Sequence, residues 1–103
     1  MKLLKLFTIT KTGYSSGVYG CSAEYFTCIF THREGLRSFR FYGMYGAEER
    51  IEQALKDLGF EYFYCPSEYG KVPRNEGTKY AHTEYTVLEN LKEIIEKGYL
   101  ATK

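Results

Sequence analysis

Between Ser22 and Tyr42 the chain alternates with a period of two, and no other stretch constrains its fold as tightly. Phe26, Cys28 and Phe30 fall on one side of an extended segment, with Tyr25, Thr27 and Ile29 on the other. After Arg33, Glu34 and Gly35 the pattern resumes with Phe39 and Phe41 on one side, against Arg40 and Tyr42. Alternation of this kind belongs to a half-buried strand, and a short polar break carrying glycine belongs to a hairpin. Two antiparallel strands with an aromatic face therefore sit at the centre of the predicted fold.

The flanking segments supply what that face packs against. Residues 3–10 read as a first strand, and the Gly, Ser and Tyr stretch from Gly13 to Gly20 reads as a loop. Ala47, Ile51, Ala54, Leu55 and Leu58 recur at helical spacing, acidic residues crowd the first turns, and Gly59 stands where a helix closes. A short strand is expected over 61–65, ending at Pro66. Residues 67–81 show no period and read as a long loop. The run Thr86, Val87, Leu88, Glu89 matches a capping box opening a second helix, which Leu91, Ile94 and Ile95 continue and Gly98 stops. The expected fold is α+β: one domain over 1–103, an antiparallel sheet of about four strands and two helices in the order β-β-β-α-β-α.

Composition narrows the functions open to such a fold. A formal net charge of +1 provides no global field for duplex nucleic acid or anionic lipid. The apolar start is broken by Lys5 and is too short for a membrane span or a signal peptide, so a cytoplasmic location is expected and no membrane partner. Cys21, Cys28 and Cys65 form an odd set without a close pair, which suits reduced thiols rather than a disulfide framework or a zinc site. No cofactor or metal is expected. The glycine-rich stretches lack the lysine of a phosphate-binding loop, and Glu48 and Glu49 would repel an anion at the helix start. Cys65 and His82 flank the long loop and are the one pair that could serve an enzyme of unrecognised type. The plainer reading makes Cys28 a core residue and the two histidines surface polar groups.

The unusual element is aromatic: 11 Tyr and 7 Phe in 103 residues. A buried phenol still needs a hydrogen-bond partner, so a chain of this size cannot sink them all. The surplus, together with arginine, marks a binding surface: Tyr14, Tyr19, Arg37, Arg40, Tyr42, Tyr45, Tyr69 and Arg74. Tyr and Arg dominate protein-interaction hot spots, and the same pair can stack a base and hold its phosphate. A non-enzymatic binding protein is thus the leading expectation, with a single-stranded nucleic-acid module as the alternative.

The run from Phe39 to Arg50, an aromatic strand joined to a helix through Gly43, Met44, Tyr45 and Gly46, resembles the small accessory and counter-defence proteins of bacteriophages in its style. That resemblance implies an inhibitor acting in a bacterial host by covering a host protein or sequestering a small nucleotide signal, commonly as a homo-oligomer.

Overall fold

A computed structural model describes residues 5–16, 22–63 and 80–100. Within them the elements run β1 (Leu6–Ser16), β2 (Ser22–His32), β3 (Gly35–Gly43), α1 (Ala47–Asp57), β4 (Glu61–Tyr62), β5 (Ala81–Thr83), α2 (Glu84–Glu89) and α3 (Leu91–Lys97). The sheet order is β4-β1-β2-β3-β5. β1, β2 and β3 form an antiparallel meander, while β4 runs parallel to β1 and β5 parallel to β3. The fold is therefore α+β, with a mixed sheet of five strands and three helices rather than an antiparallel sheet of four with two.

The central hairpin forms as its alternation requires. Cys28 pairs in register with Phe39 and Phe26 with Phe41, and Gly35 takes the positive φ that the turn after Glu34 demands. One face of the meander, bearing Phe7, Ile9, Phe26, Cys28, Phe30, Phe39 and Phe41, meets Ile51 and Leu55 of α1 and Val87, Leu91 and Ile94 of the later helices in one buried cluster. Rings stack across the strands, with Phe26 and Phe41 centroids 5.2 Å apart.

The aromatic residues divide by their chemistry. Six of the seven phenylalanines are buried, whereas none of the seven tyrosines with a described side chain is. Phenylalanine gains its full burial energy with no polar atom to satisfy, and tyrosine keeps its hydroxyl in water.

α1 closes as its sequence predicts. Gly59 adopts φ 93°, its N–H donates to the Lys56 carbonyl, and the Phe60 N–H donates to the Leu55 carbonyl at 3.0 Å. These two bonds satisfy orphan carbonyls in a Schellman arrangement, and Phe60 and Leu55 are both part of the buried cluster.

Elsewhere the structure corrects the reading. β1 does not end before Gly13: a bulge between Lys11 and Gly13 lets the strand run on, and Gly13 to Ser16 pair with Tyr25 to Ser22. Glycine and serine are poor strand formers, but the neighbouring strand supplies their hydrogen-bond partners. The last helix begins at Glu84 instead of Thr86, since the Thr83 hydroxyl accepts from the Thr86 N–H at 3.2 Å. It is interrupted at Asn90, whose side-chain amide donates to the Thr86 carbonyl at 2.8 Å and turns the backbone out of helical geometry. β4 covers only the first two residues of the expected fourth strand, and Cys65 lies outside the described residues. Most of the expected 67–81 loop lies outside them too, except at its end, where Ala81 opens β5.

Candidate functional site

Gly43 and Gly46 bracket the turn from β3 into α1, and each is required by a close approach. A Cβ on Gly43 would stand 2.8 Å from the Ala47 Cβ and 3.0 Å from a Glu84 carboxylate oxygen, so its absence lets α2 seat beside α1. Gly46 has φ +91°, and a Cβ there would lie 2.6 Å from an Arg50 guanidinium nitrogen. Between them Met44 and Tyr45 are forced outward, and Tyr45 is 94% exposed.

Arg50 organises what surrounds this turn. Its guanidinium grips Glu84 through both ends, Nη2 reaching Oε1 at 3.0 Å and Nε bonding Oε2, and Nη2 also donates to the Tyr45 carbonyl at 3.2 Å. The Glu84 hydrogen bond, with a smaller contribution from the Glu84 charge, holds the Arg50 guanidinium even more firmly protonated than usual. Tyr85, the residue after Glu84, is 78% exposed. The ion pair therefore locks the start of α1 to the start of α2, with an exposed tyrosine on each side.

Cations here already have carboxylate partners, and carboxylates are in excess. Lys11 pairs with Glu24 at 2.6 Å and Arg50 with Glu84, which leaves Glu48 and Glu49 at the start of α1. Glu48 is held above the usual carboxylate range, first by partial burial and then by repulsion from Glu49, Glu52 and Glu24, against a smaller opposing pull from Lys11. A carboxyl whose folded pKa exceeds its unfolded one stabilises the fold in its protonated form and loses that contribution as pH rises through the folded value. Glu48→Gln is accordingly expected to unfold at higher urea than the wild type at neutral pH. The gap should close as pH falls through the carboxylate range, and equal midpoints at neutral pH would contradict the assignment.

The residues expected to bind do not form one patch. Arg40 and Tyr42 lie half-buried on the sheet face opposite the described helices, where Tyr42 stacks on Tyr25 with ring centroids 5.1 Å apart. Tyr45 stands at the adjoining edge, in the turn that follows β3. Arg37 sits on the opposite face, five residues and about 16 Å of strand from Tyr42. Its guanidinium donates to the Leu36 carbonyl at 3.0 Å and reaches Glu34 at 3.6 Å, and its stem lies against Gly98, whose added Cβ would be 3.1 Å away. In this position it packs against the end of α3. Tyr14 lies on β1 opposite Glu24, and Tyr19, Tyr69 and Arg74 lie outside the described residues.

Arg50 and Tyr85, which join Tyr45 in the site, were not among the expected residues. Each reads locally as the polar face of a helix, and only the packing of α1 beside α2 brings them together. The centre of the sheet face opposite the described helices, by contrast, is closed to solvent, with Ser38 fully buried and Thr8, Thr27 and Ile29 each under a tenth exposed.

Two other expectations concern possible chemistry. His32 is buried and not a surface group: its Nδ1 accepts from the Glu34 N–H at 3.2 Å, so Nε2 carries the proton and donates to the Glu96 carbonyl at 2.8 Å. His82 lies partly exposed on β5, and any meeting with Cys65 falls outside the described residues. Cys28 is buried as expected. Among the described residues no cluster of His, Cys, Asp and Glu could hold a metal ion, and no helix is long and apolar enough to cross a membrane. Compared with protein-family models, curated proteins and solved structures, the chain matches none of them.

Proposed function

We propose that the chain is a non-enzymatic binding protein that engages another protein through the surface built by Tyr45, Tyr85 and Arg50, with Tyr42 and Tyr25 at its margin. The carrying observation is a two-point Arg50–Glu84 ion pair with an exposed tyrosine, Tyr45 or Tyr85, on each side of it. Rigid phenol rings offer contact area at low entropic cost, and the ion pair fixes the helix starts from which they project. The resemblance to phage accessory proteins makes a host protein the natural target, covered rather than modified.

Electrostatics favour a protein over single-stranded nucleic acid at this surface. Lys11 and Arg50 are each committed to a carboxylate, Glu48 and Glu49 remain, and a phosphate backbone would meet net repulsion. The closed centre of the sheet face opposite the described helices also leaves little room for successive bases to stack.

A Tyr45→Ala/Tyr85→Ala double variant is expected to melt within about 4 °C of the wild type, since neither ring contributes to the core, but to weaken capture of the target at least a hundredfold, as hot-spot aromatics do. Tyr99→Ala, on another surface, should leave capture unchanged. Undiminished capture by the double variant would refute this surface. Steeply salt-dependent binding of a homopolymeric single strand would favour the nucleic-acid alternative, and a rise in melting temperature with a cyclic or ADP-ribose-type nucleotide would favour sequestration.

A further inference from the structure

At the opposite end of the sheet from the tyrosine surface, four separate pieces of chain converge on a cavity of about 100 Å³. The Schellman turn after α1 delivers Phe60, the last turns of α3 deliver Ile95 and Glu96, the β2–β3 hairpin delivers Arg33, and Lys5 leads into β1. Phe60 and Ile95 supply apolar lining, and Lys5, Arg33 and Glu96 are the charged residues among those that line it.

The other polar groups lining the cavity are already engaged. Thr31 Oγ1 accepts from the Leu6 N–H at 3.0 Å, and both nitrogens of His32 are bonded to backbone. By contrast, the exposed Arg33 guanidinium makes no hydrogen bond or ion pair with any described residue. The Lys5 ammonium has only a 3.5 Å contact to the Leu58 carbonyl and a position 5.9 Å from the centre of the Phe60 ring. The lining thus includes two basic residues and one acidic residue beside apolar Phe60 and Ile95, a net positive set with donors to spare.

We propose that this cavity binds small carboxylates bearing a short aliphatic tail. The volume decides the size: an engineered apolar cavity of about 150 Å³ holds benzene, so about 100 Å³ suits a tail of three or four carbons. The rim decides the head group, because a guanidinium fork matches the two oxygens of a carboxylate and the Lys5 ammonium supplies a second charge. The tail lies against Phe60 and Ile95, and the carboxylate meets Arg33 and Lys5 at the mouth.

Butyrate is the test ligand, followed by NMR at constant ionic strength. A six-atom ligand should saturate at roughly 1–10 mM and move the Ile95 methyl and Phe60 ring signals. Butan-1-ol, which keeps the tail without the charge, and inorganic phosphate, which keeps the charge without the tail, should leave those signals in place. Lys5→Gln/Arg33→Gln alters two exposed side chains, and its otherwise unchanged spectrum verifies the fold; it should abolish saturation below about 100 mM. The proposal fails if butyrate gives no saturable shift, if the double variant binds like the wild type, or if butanol or phosphate produces the same shifts.

Discussion

A Phe41→Ala variant is expected to lose about 3–5 kcal/mol of stability, while Tyr42→Ala, one residue along the same strand, loses about 1. Phe41 is fully buried, stacked on Phe26 and touching the ring of Phe39, so truncation removes its transfer energy and leaves a cavity in a layer held on both sides. Tyr42 points to the opposite face, half-exposed, and loses chiefly its stack on Tyr25. With total stabilities of about 5–15 kcal/mol usual for domains, the first change brings the chain to the edge of unfolding and the second does not.

The reciprocal substitutions sharpen this contrast. Phe41→Tyr sinks a hydroxyl into an apolar layer at a cost of about 1–3 kcal/mol, whereas Tyr42→Phe removes a solvated one at almost none. Urea unfolding of the four variants would read these values as midpoint shifts at constant slope. Similar losses for Phe41→Ala and Tyr42→Ala would mean that the two faces have been exchanged.

That contrast also marks which parts of the structure are legible in the residues themselves. Wherever one segment carries its own periodicity, as in the β2–β3 hairpin and α1, the residue pattern predicts the element, its buried face and, through Gly59, its end. β5 escapes because three residues carry no period, and β4, expected over 61–65, keeps only its first two residues. They are strands only by virtue of the parallel neighbour that each finds at an edge of the meander. The extension of β1 through Gly13 has the same cause, since local glycine and serine preferences are overridden by pairing with β2.

The candidate site divides along the same line. Tyr45 is legible because an aromatic residue between two glycines has nowhere to pack. Arg50 and Tyr85 belong to the site through a contact between residues 34 positions apart, Arg50 with Glu84, which no local pattern encodes. Arg37 belongs with the tyrosines only by composition: strand alternation already sets it on the side of Phe39 and Phe41, and there its stem serves the end of α3.

Cys28 provides the second large effect. In a Cys21→Ser/Cys65→Ser background, its reaction with Ellman's reagent is expected to run about 10³- to 10⁶-fold slower in the native protein than in urea. Two causes act together. The thiol is fully buried, paired in register with Ile9 on β1 and Phe39 on β3 and covered by the helices, so the reagent cannot reach it without opening the core. The reactive species is the thiolate, and burial pushes the Cys28 thiol far above its ordinary range, since an ion in that layer would have no solvent or partner charge. Modification must then proceed through transient unfolding, and its rate should follow the unfolded fraction as urea is added. Phe41→Ala, by raising that fraction, should accelerate labelling by about 10²- to 4 × 10³-fold, the factor that 3–5 kcal/mol implies at about 1.4 kcal/mol per decade. Rapid labelling of the native wild type, unaffected by Phe41→Ala, would mean that Cys28 reaches solvent without unfolding and that the layer between sheet and helices is not closed as described.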